Sequence, residues 1–508
     1  MTPINSLRAL ALRRIATAGR YGIALAISAL TLQAQTPAAP AAQSPGALDP
    51  LALPAPSAGT LVAITNANIM TASHGNIMGG TILIRNGKIA EIGANVTVPA
   101  GAKVIDGRGK WVTPGIIDAH SHTANEGINE GSQSVTAEVR MEDVLRQDGI
   151  SLYRHLAGGT TTVNILHGSA NTIGGQNAVI KLRFGLPVDS LRYEHSVPGI
   201  KFALGENVRR TGNATSTRYP RSRQGVEDLL RESFIGAQEY KREWDAYNTT
   251  KAAWDKANAR SRGAAPIPPR RDLEKDALVE VMEGKRLVYW HSYRADEILM
   301  ALRVAKEFGF KPHFTHILEG YKLADELAAA GATASTFADM WGYKLEAYDA
   351  IPHNAAIMTR AGVIVSINSD SDERARRLNL DAAKMMRYGD MSEQEALRMI
   401  TLNPAIQLDI QHRVGSIDVG KDADLSIWNG NPLSVYSRVE TTFIDGEVFF
   451  DREQDLANRA RLAAERATLE QAEPNRPAGG GMGGRGNAAG RPGTPDSSST
   501  TSGSGDRR

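Results

Sequence analysis

TPGIIDAHSH, residues 113–122, places two histidines directly after an apolar run, in a chain of 508 residues that contains only 11 histidines. Side chains two positions apart on a β-strand point to the same face, so His120 and His122 project together. Two imidazoles that reach one point can chelate a metal ion. The pattern is weak when taken alone, because a chance pair or two hydrogen-bonded histidines would give the same spacing. Whether His120 and His122 form a metal site therefore depends on which residues end the other strand-like runs.

Three further apolar runs end in residues that metal ions favour. "LVYWH" ends at His291, "HFTH" at His316 and "VIVSINSD" at Asp370. Such runs alternate with helical patterns between about Gly115 and Pro404, which predicts βα units and a parallel sheet, either closed as a barrel or left open. In a barrel the carboxyl ends of the strands meet at one mouth. Four histidines and one aspartate at matching positions therefore predict a metal site.

Composition narrows the chemistry and the partners. The chain has no cysteine, so a metal ion must be held by histidine and carboxylate groups, and a disulfide framework is excluded. Zinc is the ion that such ligands favour. Charged residues make up 22% and the formal net charge is +2, which argues against nucleic acid as a partner. We expect a small-molecule substrate, and a homo-oligomer is left open.

The N-terminal residues have the pattern of an export signal. Residues 1–35 contain several arginines followed by the apolar stretch "YGIALAISALTL" and a "QAQ" cleavage-type sequence. A membrane anchor is the alternative, but the apolar run is well short of the ~20 residues that a bilayer span needs. We expect a periplasmic or secreted protein with no stable membrane span after signal removal.

Short strand-like runs with turn signals, such as Asn86-Gly87, lie on both sides of the βα region and predict one small β-domain built from both chain ends. The predicted order is a signal peptide (1–35), a Pro/Ala-rich linker (36–59), the first β part (60–114), the βα region (115–405) with a charged helical insertion (about 227–286), the second β part (406–451), a C-terminal helix (452–473) and a disordered tail (474–508).

These motifs, in this order, resemble the amidohydrolase superfamily. The resemblance is carried by "PGIIDAHSH", by His291, His316 and Asp370, and by "RVGSIDVGKDADLSIW" at residues 413–428. It covers roughly residues 60–451, and the chain is most similar to the imidazolonepropionase-like and metallo-dipeptidase branches. The resemblance implies an α/β fold with a TIM-type (βα)8 barrel beside a small β-sandwich domain formed from both chain ends.

The resemblance also implies a metal-ligand set. His120, His122 and Asp370 would hold one divalent ion, with zinc expected, and His291 and His316 would hold a second ion or contact the substrate. Asp372 lies two residues beyond Asp370 with the same strand parity, so the choice of Asp370 depends on its position directly after the apolar run. The number of ions, one or two, stays open.

A binuclear site of this kind needs a bridging anion, often a carboxylated lysine. Lys201 in "PGIKFALGEN" is the candidate, with Glu206 as the rival carboxylate and an ordinary ion-paired lysine as the alternative. Because a carbamate forms only from the neutral amine, burial would have to lower the pKa of Lys201. His167 follows the strand-like "TTVNIL" and is expected to contact the substrate, with a structural hydrogen-bonding role as the alternative. Tyr293, where related sequences often have a second histidine, is also expected to contact the substrate.

The resemblance therefore implies an exported, metal-dependent amidohydrolase that cleaves an amide, peptide or cyclic-amide C–N bond through metal-activated hydroxide. Asp370 would act as general base and then as general acid. Two alternatives stay open: a mononuclear N-acetyl deacetylase-like hydrolase with Glu206 as a ligand, and a noncatalytic exported binding protein on the same barrel.

Overall fold

The computed structural model describes residues 61–209, 217–340 and 342–472. The predicted signal peptide, the linker and the C-terminal tail lie outside the described residues. Within the described ranges, no helix combines the length and the apolar character that crossing a membrane requires.

The described residues form a mixed α/β fold. Its strands are β1 (Leu61–Met70), β2 (Asn76–Arg85), β3 (Lys88–Gly93), β4 (Lys103–Asp106), β5 (Trp111–Pro114), β6 (Ile116–Ser121), β7 (Thr160–Ile165), β8 (Ile173–Gln176), β9 (Ala178–Lys181), β10 (Gly199–Ala203), β11 (Leu287–His291), β12 (Pro312–Thr315), β13 (Thr333–Thr336), β14 (Val365–Ile367), β15 (Leu425–Trp428), β16 (Val439–Ile444) and β17 (Glu447–Asp451). Its helices are α1 (Ile150–Leu156), α2 (Val188–Leu191), α3 (Glu206–Arg209), α4 (Arg223–Lys256), α5 (Leu273–Met282), α6 (Ala295–Phe308), α7 (Ala324–Ala329), α8 (Asn354–Arg360), α9 (Leu378–Gly389), α10 (Glu393–Arg398), α11 (Leu402–Gln407) and α12 (Arg452–Ala472).

One sheet contains strands from both ends of the chain. Its order is β17-β16-β15-β5-β1-β2-β3, and β4 pairs with β1 off this path. Strand β15 from the C-terminal part pairs antiparallel with β5, so strands from before and after the βα region meet in the middle of the sheet. Ile64, Ile82, Val112, Leu425 and Phe443 belong to its buried core. The second layer of the predicted sandwich stays a prediction.

The βα region contributes two further sheets. One has the order β14-β13-β12-β11-β10-β8 and the other the order β6-β7-β9. Neighbours from β10 to β14 pair in parallel, and so do β6 and β7. The two sheets meet where Asp370 N–H, just past β14, donates to the carbonyl of His120 on β6 at 2.9 Å. This contact brings the first and last of these parallel strands to one edge.

The charged insertion at about 227–286 consists mainly of helices α4 and α5. Phe234 of α4 is buried and stacks on Phe308, with ring centroids 4.9 Å apart, and on Phe310, with centroids 5.2 Å apart. The Tyr240 hydroxyl donates to Asp276 at 2.8 Å and so joins the two helices. Beyond Tyr240 the helix is largely exposed, so only the first half of α4 is anchored on the rest of the fold.

A buried lysine connects β9 with the ends of the strands at the C-terminal part of the large sheet. Lys181 Nζ donates to Asp422 at 2.9 Å, to Asp424 at 3.2 Å and to Asp445 at 2.5 Å. Burial alone would lower the pKa of Lys181, but the three carboxylates together raise it above its ordinary value. Burial also raises the pKa of Asp424, to about 6. The lysine is thus charged and holds three acidic groups in place.

Replacing this lysine tests how strongly the network stabilises the fold. Lys181→Met leaves three carboxylates without their shared buried cation, so we expect a loss of about 3–5 kcal/mol in the free energy of unfolding. Lys88→Met is the matched control, because Lys88 pairs with the same Asp422 from a half-exposed position and should cost no more than about 1 kcal/mol. Urea unfolding at neutral pH measures both. Equal effects of the two substitutions would contradict the role given to Lys181.

Candidate metal centre

Three of the predicted ligands lie close enough to bind one ion. Nε2 of His122 is 2.9 Å from Oδ1 of Asp370, and Nε2 of His120 is 3.2 Å from the same oxygen. The ligand atoms of the three residues all lie within 4.8 Å of one another. They come together because His120 lies near the end of β6 and Asp370 lies just past β14. The hydrogen bond from Asp370 N–H to the His120 carbonyl joins these two segments.

The other predicted ligands adjoin this group. Nζ of Lys201, on β10, lies 3.0 Å from Nε2 of His120. Nδ1 of His291, on β11, lies 3.2 Å from Nε2 of His316, which is 3.8 Å from Oδ2 of Asp370. The structure therefore brings all six predicted ligand residues into one cluster, reached from five different strand ends. We call these residues the metal cluster: His120, His122, Lys201, His291, His316 and Asp370.

Two members of the metal cluster have a left-handed backbone. The φ angle is +40° at His316 and +46° at Asp370. Residues other than glycine rarely adopt this conformation, and it costs on the order of 1–3 kcal/mol at each position. His316 directly follows β12, and Asp370 lies in the loop that follows β14. The turn in the backbone directs each side chain towards the cluster rather than along the sheet.

Burial controls the protonation of the metal cluster. It lowers the pKa of His120 and of His291 well below the ordinary value, and that of His316 to about 3. These rings are therefore neutral at neutral pH, which is the form that binds a metal ion. Burial also lowers the pKa of Lys201 to about 8, although Asp370 acts in the opposite direction. About one tenth of the amine is then neutral at pH 7, far more than for a lysine with an ordinary pKa.

The donor chemistry of the metal cluster fits a divalent ion. Imidazole nitrogens and a carboxylate oxygen are the ligands expected for zinc in a protein without cysteine. Among the described residues, Nδ1 of His120, of His122 and of His316 has no hydrogen-bond partner. Each of these rings has polar contacts only through Nε2, the nitrogen that faces the cluster. The three side chains thus direct their Nε2 atoms, as candidate ligand atoms, into one small volume.

The remaining predicted site residues have different surroundings. Nδ1 of His167 faces the Gly168 carbonyl at 2.8 Å, while Nε2 accepts from the Glu130 N–H at 2.8 Å, so both ring nitrogens are engaged by the backbone. This geometry favours a structural role for His167, and contact between His167 and a substrate stays a prediction. The carboxylate of Glu206 lies 4.0 Å from Lys344 Nζ. Lys201, rather than Glu206, is the residue in contact with His120.

Tyr293 forms a wall of the metal cluster. Its ring centroid lies 4.7 Å from that of His291 and 5.2 Å from that of His316. Its hydroxyl shares a hydrogen bond of 2.5 Å with Tyr343. Burial raises the pKa of Tyr293 well above its ordinary value, so the phenol stays protonated and can donate a hydrogen bond. Lys344 Nζ lies 5.5 Å above the same ring.

Sequence reasoning missed three polar residues that support this site. Asp118 is buried two residues before His120, and Ser169 Oγ lies 2.8 Å from Nδ1 of His291. Tyr343 comes from the loop after β13, which carries no recognisable motif. A signal existed only for Asp118, because a single carboxylate inside the apolar run "GIIDAH" is unusual. Ser169 and Tyr343 reach the site through contacts between segments that are distant in sequence, so no local pattern indicates them.

Comparisons with known proteins agree with one another. A model of the amidohydrolase family matches residues 349–449. The solved structure of an amidohydrolase from Thermotoga maritima is 31% identical and has a TM-score of 0.69, covering 77% of this chain and 100% of that chain. Imidazolonepropionase from Alkaliphilus oremlandii is 23% identical over 417 residues, 71% of this chain and 86% of the relative. Amidohydrolase tasK from Hapsidospora irregularis is 28% identical over 423 residues, 77% of this chain, which spans 42% of that longer protein.

The depressed pKa of Lys201 gives a prediction about metal binding. A lysine with a pKa of about 8 is mostly protonated below that pH and must lose its proton before it can take part in a bridge. We therefore expect affinity for a second Zn²⁺ equivalent to rise between about pH 7 and about pH 9, a range in which the buried histidines no longer titrate. Competition with a chromophoric chelator measures this affinity.

Two variants separate this effect from general changes in charge. Lys201→Met should abolish the pH dependence, because no titrating amine remains in the cluster. Lys344→Met should preserve it, since Lys344 faces Tyr293 and not His120. The same rise with pH in Lys201→Met as in the unchanged protein would contradict the assignment.

Proposed function

The chain belongs to the amidohydrolase superfamily, and from this premise we propose that it is an exported, metal-dependent hydrolase that cleaves a C–N bond in a small amide, peptide or cyclic amide. The observation that carries the proposal is the convergence of His120, His122 and Asp370, with candidate ligand atoms within 4.8 Å of one another. The adjoining residues Lys201, His291 and His316 complete a set that could hold two ions. Zinc agrees best with these ligands.

We infer that the two sheets of the βα region form one TIM-type barrel. The inference is supported by parallel pairing from β10 to β14 and by the hydrogen bond from Asp370 N–H to the His120 carbonyl, which joins the last strand to the first. The likeness to the Thermotoga maritima amidohydrolase also supports it. Active sites of such barrels lie at the carboxyl ends of the strands, where the metal cluster is found.

Asp370 and Tyr293 have different roles in the proposed hydrolysis. A bound divalent ion supplies Lewis acidity, which lowers the pKa of water and polarises a carbonyl group. Oδ1 of Asp370 contacts both His120 and His122, whereas Oδ2 lies 3.8 Å from Nε2 of His316. Oδ2 is thus the oxygen free to accept a proton from water and to deliver it to the leaving nitrogen. The hydroxyl of Tyr293 stays protonated, and it can donate to a substrate oxygen when Tyr343 is the donor in the bond between the two hydroxyls.

Metal content and activity together test this function. We expect the protein beginning near residue 36, purified without chelators, to contain about two zinc equivalents and to hydrolyse members of a panel of dipeptides, N-acyl amino acids and cyclic amides. Asp370→Asn should lower kcat by about 10²–10⁴-fold, because the amide cannot accept the proton. Elemental analysis and product assays measure the two properties.

Each alternative gives a different result in this experiment. One metal equivalent that is unaffected by Lys201→Ala, together with deacetylation of N-acetyl substrates, would favour the mononuclear hydrolase. Metal binding without turnover of any substrate class would favour a binding protein. Absence of bound metal after incubation with Zn²⁺ would overturn the proposal.

Export rests on the sequence of residues 1–35, with its arginines and the apolar stretch "YGIALAISALTL". We propose that this segment is removed and that the enzyme acts outside the cytoplasm. Expression of the full chain in a Gram-negative host should give a protein in the periplasmic fraction whose N-terminal sequence begins near Gln35. Recovery of the uncleaved chain in the cytoplasm would contradict export.

A further inference from the structure

A cavity of about 530 Å³ lies between helix α1, the turn Arg374–Arg377, strands β15 and β16, and the start of α12. None of its described lining residues belongs to the metal cluster. Its walls are strongly cationic, and no acidic side chain is among the described residues that line it. Six arginines contribute to these walls: Arg154, Arg376, Arg377, Arg438, Arg452 and Arg459. We call this the arginine cavity.

Among the residues that the structure describes, two carboxylates form ion pairs with these guanidinium groups. Glu373 pairs with Arg154 and lies 3.6 Å from Arg376. Asp455 pairs with Arg459 at 2.6 Å. Two carboxylates therefore serve three of the six arginines, and both lie outside the cavity lining.

The other three arginines lack such partners. The side chains of Arg377 and Arg438 form no ion pair or hydrogen bond with any residue that the structure describes, and both are exposed to solvent. Arg452 donates to the Val439 carbonyl at 2.5 Å but has no direct ion pair within the described ranges. Burial lowers the pKa of Arg452, and the nearby charge of Asp455 acts against this change. The like charges of Arg438 and Arg459 lower the pKa further. The six arginines thus carry more positive charge than these two carboxylates neutralise.

The remaining walls are suited to an organic group. Trp428 is buried and fixed by a hydrogen bond of 3.0 Å from its indole nitrogen to Thr113 Oγ1. Leu380, Val435 and Val439 add apolar surface, and Ser437 adds a hydroxyl. A volume of this size is typical of sites for small organic ligands and exceeds the needs of a single inorganic ion. Guanidinium groups bind phosphate with two parallel hydrogen bonds, which lysine cannot do.

We propose that the arginine cavity binds a small soluble anion that carries two or more phosphate groups and an organic part, of the kind represented by a nucleoside diphosphate. The unpaired guanidinium groups of Arg377 and Arg438 contact the phosphates, and the apolar wall beside Trp428 contacts the organic part. A concave site favours a small ligand over a flat anionic surface, and the chain as a whole, at a net charge of +2, is not built to attract nucleic acid. This site does not depend on the proposed hydrolase function.

Calorimetric titration of the purified protein with ADP and with inorganic pyrophosphate tests the proposal. We expect both to bind, with ADP the tighter ligand, and we expect affinity to fall as salt is added. Arg377→Ala and Arg438→Ala should each weaken binding by about tenfold, because each removes charge-assisted hydrogen bonds to phosphate. The double substitution R377E/R438E should abolish it.

Controls separate a specific site from general electrostatic attraction. Arg303→Glu changes the charge in the same way at an exposed position on α6 and should leave ADP affinity unchanged, and thermal unfolding checks that every variant is folded. Equal weakening by Arg303→Glu would overturn the proposal, as would failure of both ADP and pyrophosphate to bind. Binding to phosphatidylglycerol vesicles or to a single-stranded oligonucleotide without binding of ADP would also overturn it.

Discussion

The candidate metal centre depends on one junction, between strand β6 and the segment that follows β14. Asp118 accepts hydrogen bonds from the backbone N–H of Ser369 at 3.1 Å and from its hydroxyl at 2.5 Å, while Asp370 N–H donates to the His120 carbonyl. Burial raises the pKa of Asp118 to about 7, and the hydrogen bonds from Ser369 act against that rise. Residues about 250 positions apart are thereby held in register, and His120 and Asp370 meet as a consequence.

Two buried lysines differ in pKa because their neighbours differ, and this difference separates a structural role from a functional one. Lys181 is enclosed by three aspartates, and its pKa rises above the ordinary value. Lys201 is equally buried but lies among histidines with Asp370 as its one acidic neighbour in the metal cluster, and its pKa falls to about 8. The first lysine stays charged and holds strands together. The second can become neutral at little cost, a property typical of functional sites rather than of structural ion pairs.

Sequence patterns predict which residues are candidate ligands, but they do not predict the backbone conformation or the tertiary contacts of the site. The apolar runs before His291, His316 and Asp370 correspond to β11, β12 and the region of β14, because buried parallel strands need continuous apolar residues. No local pattern predicts the left-handed backbone at His316 and Asp370, since it is imposed by packing around the turn. The contact of Tyr343 with Tyr293 is equally invisible, because it joins a loop to a strand end through tertiary structure.

The arginine cavity and the metal cluster share one segment of chain. The turn Arg374–Arg377 begins four residues after Asp370, and Glu373 within this segment pairs with Arg154 of α1. The turn also packs closely on the end of α1, because a Cβ atom on Gly158 would lie 2.4 Å from the carbonyl oxygen of Arg376. An anion held by Arg377 and Arg438 would lie beside a wall that the ion pair of Glu373 with Arg154 already fixes. The segment that carries Asp370 into the metal cluster therefore also builds one wall of the arginine cavity, and its ion pair with α1 and its close packing on Gly158 hold both in place.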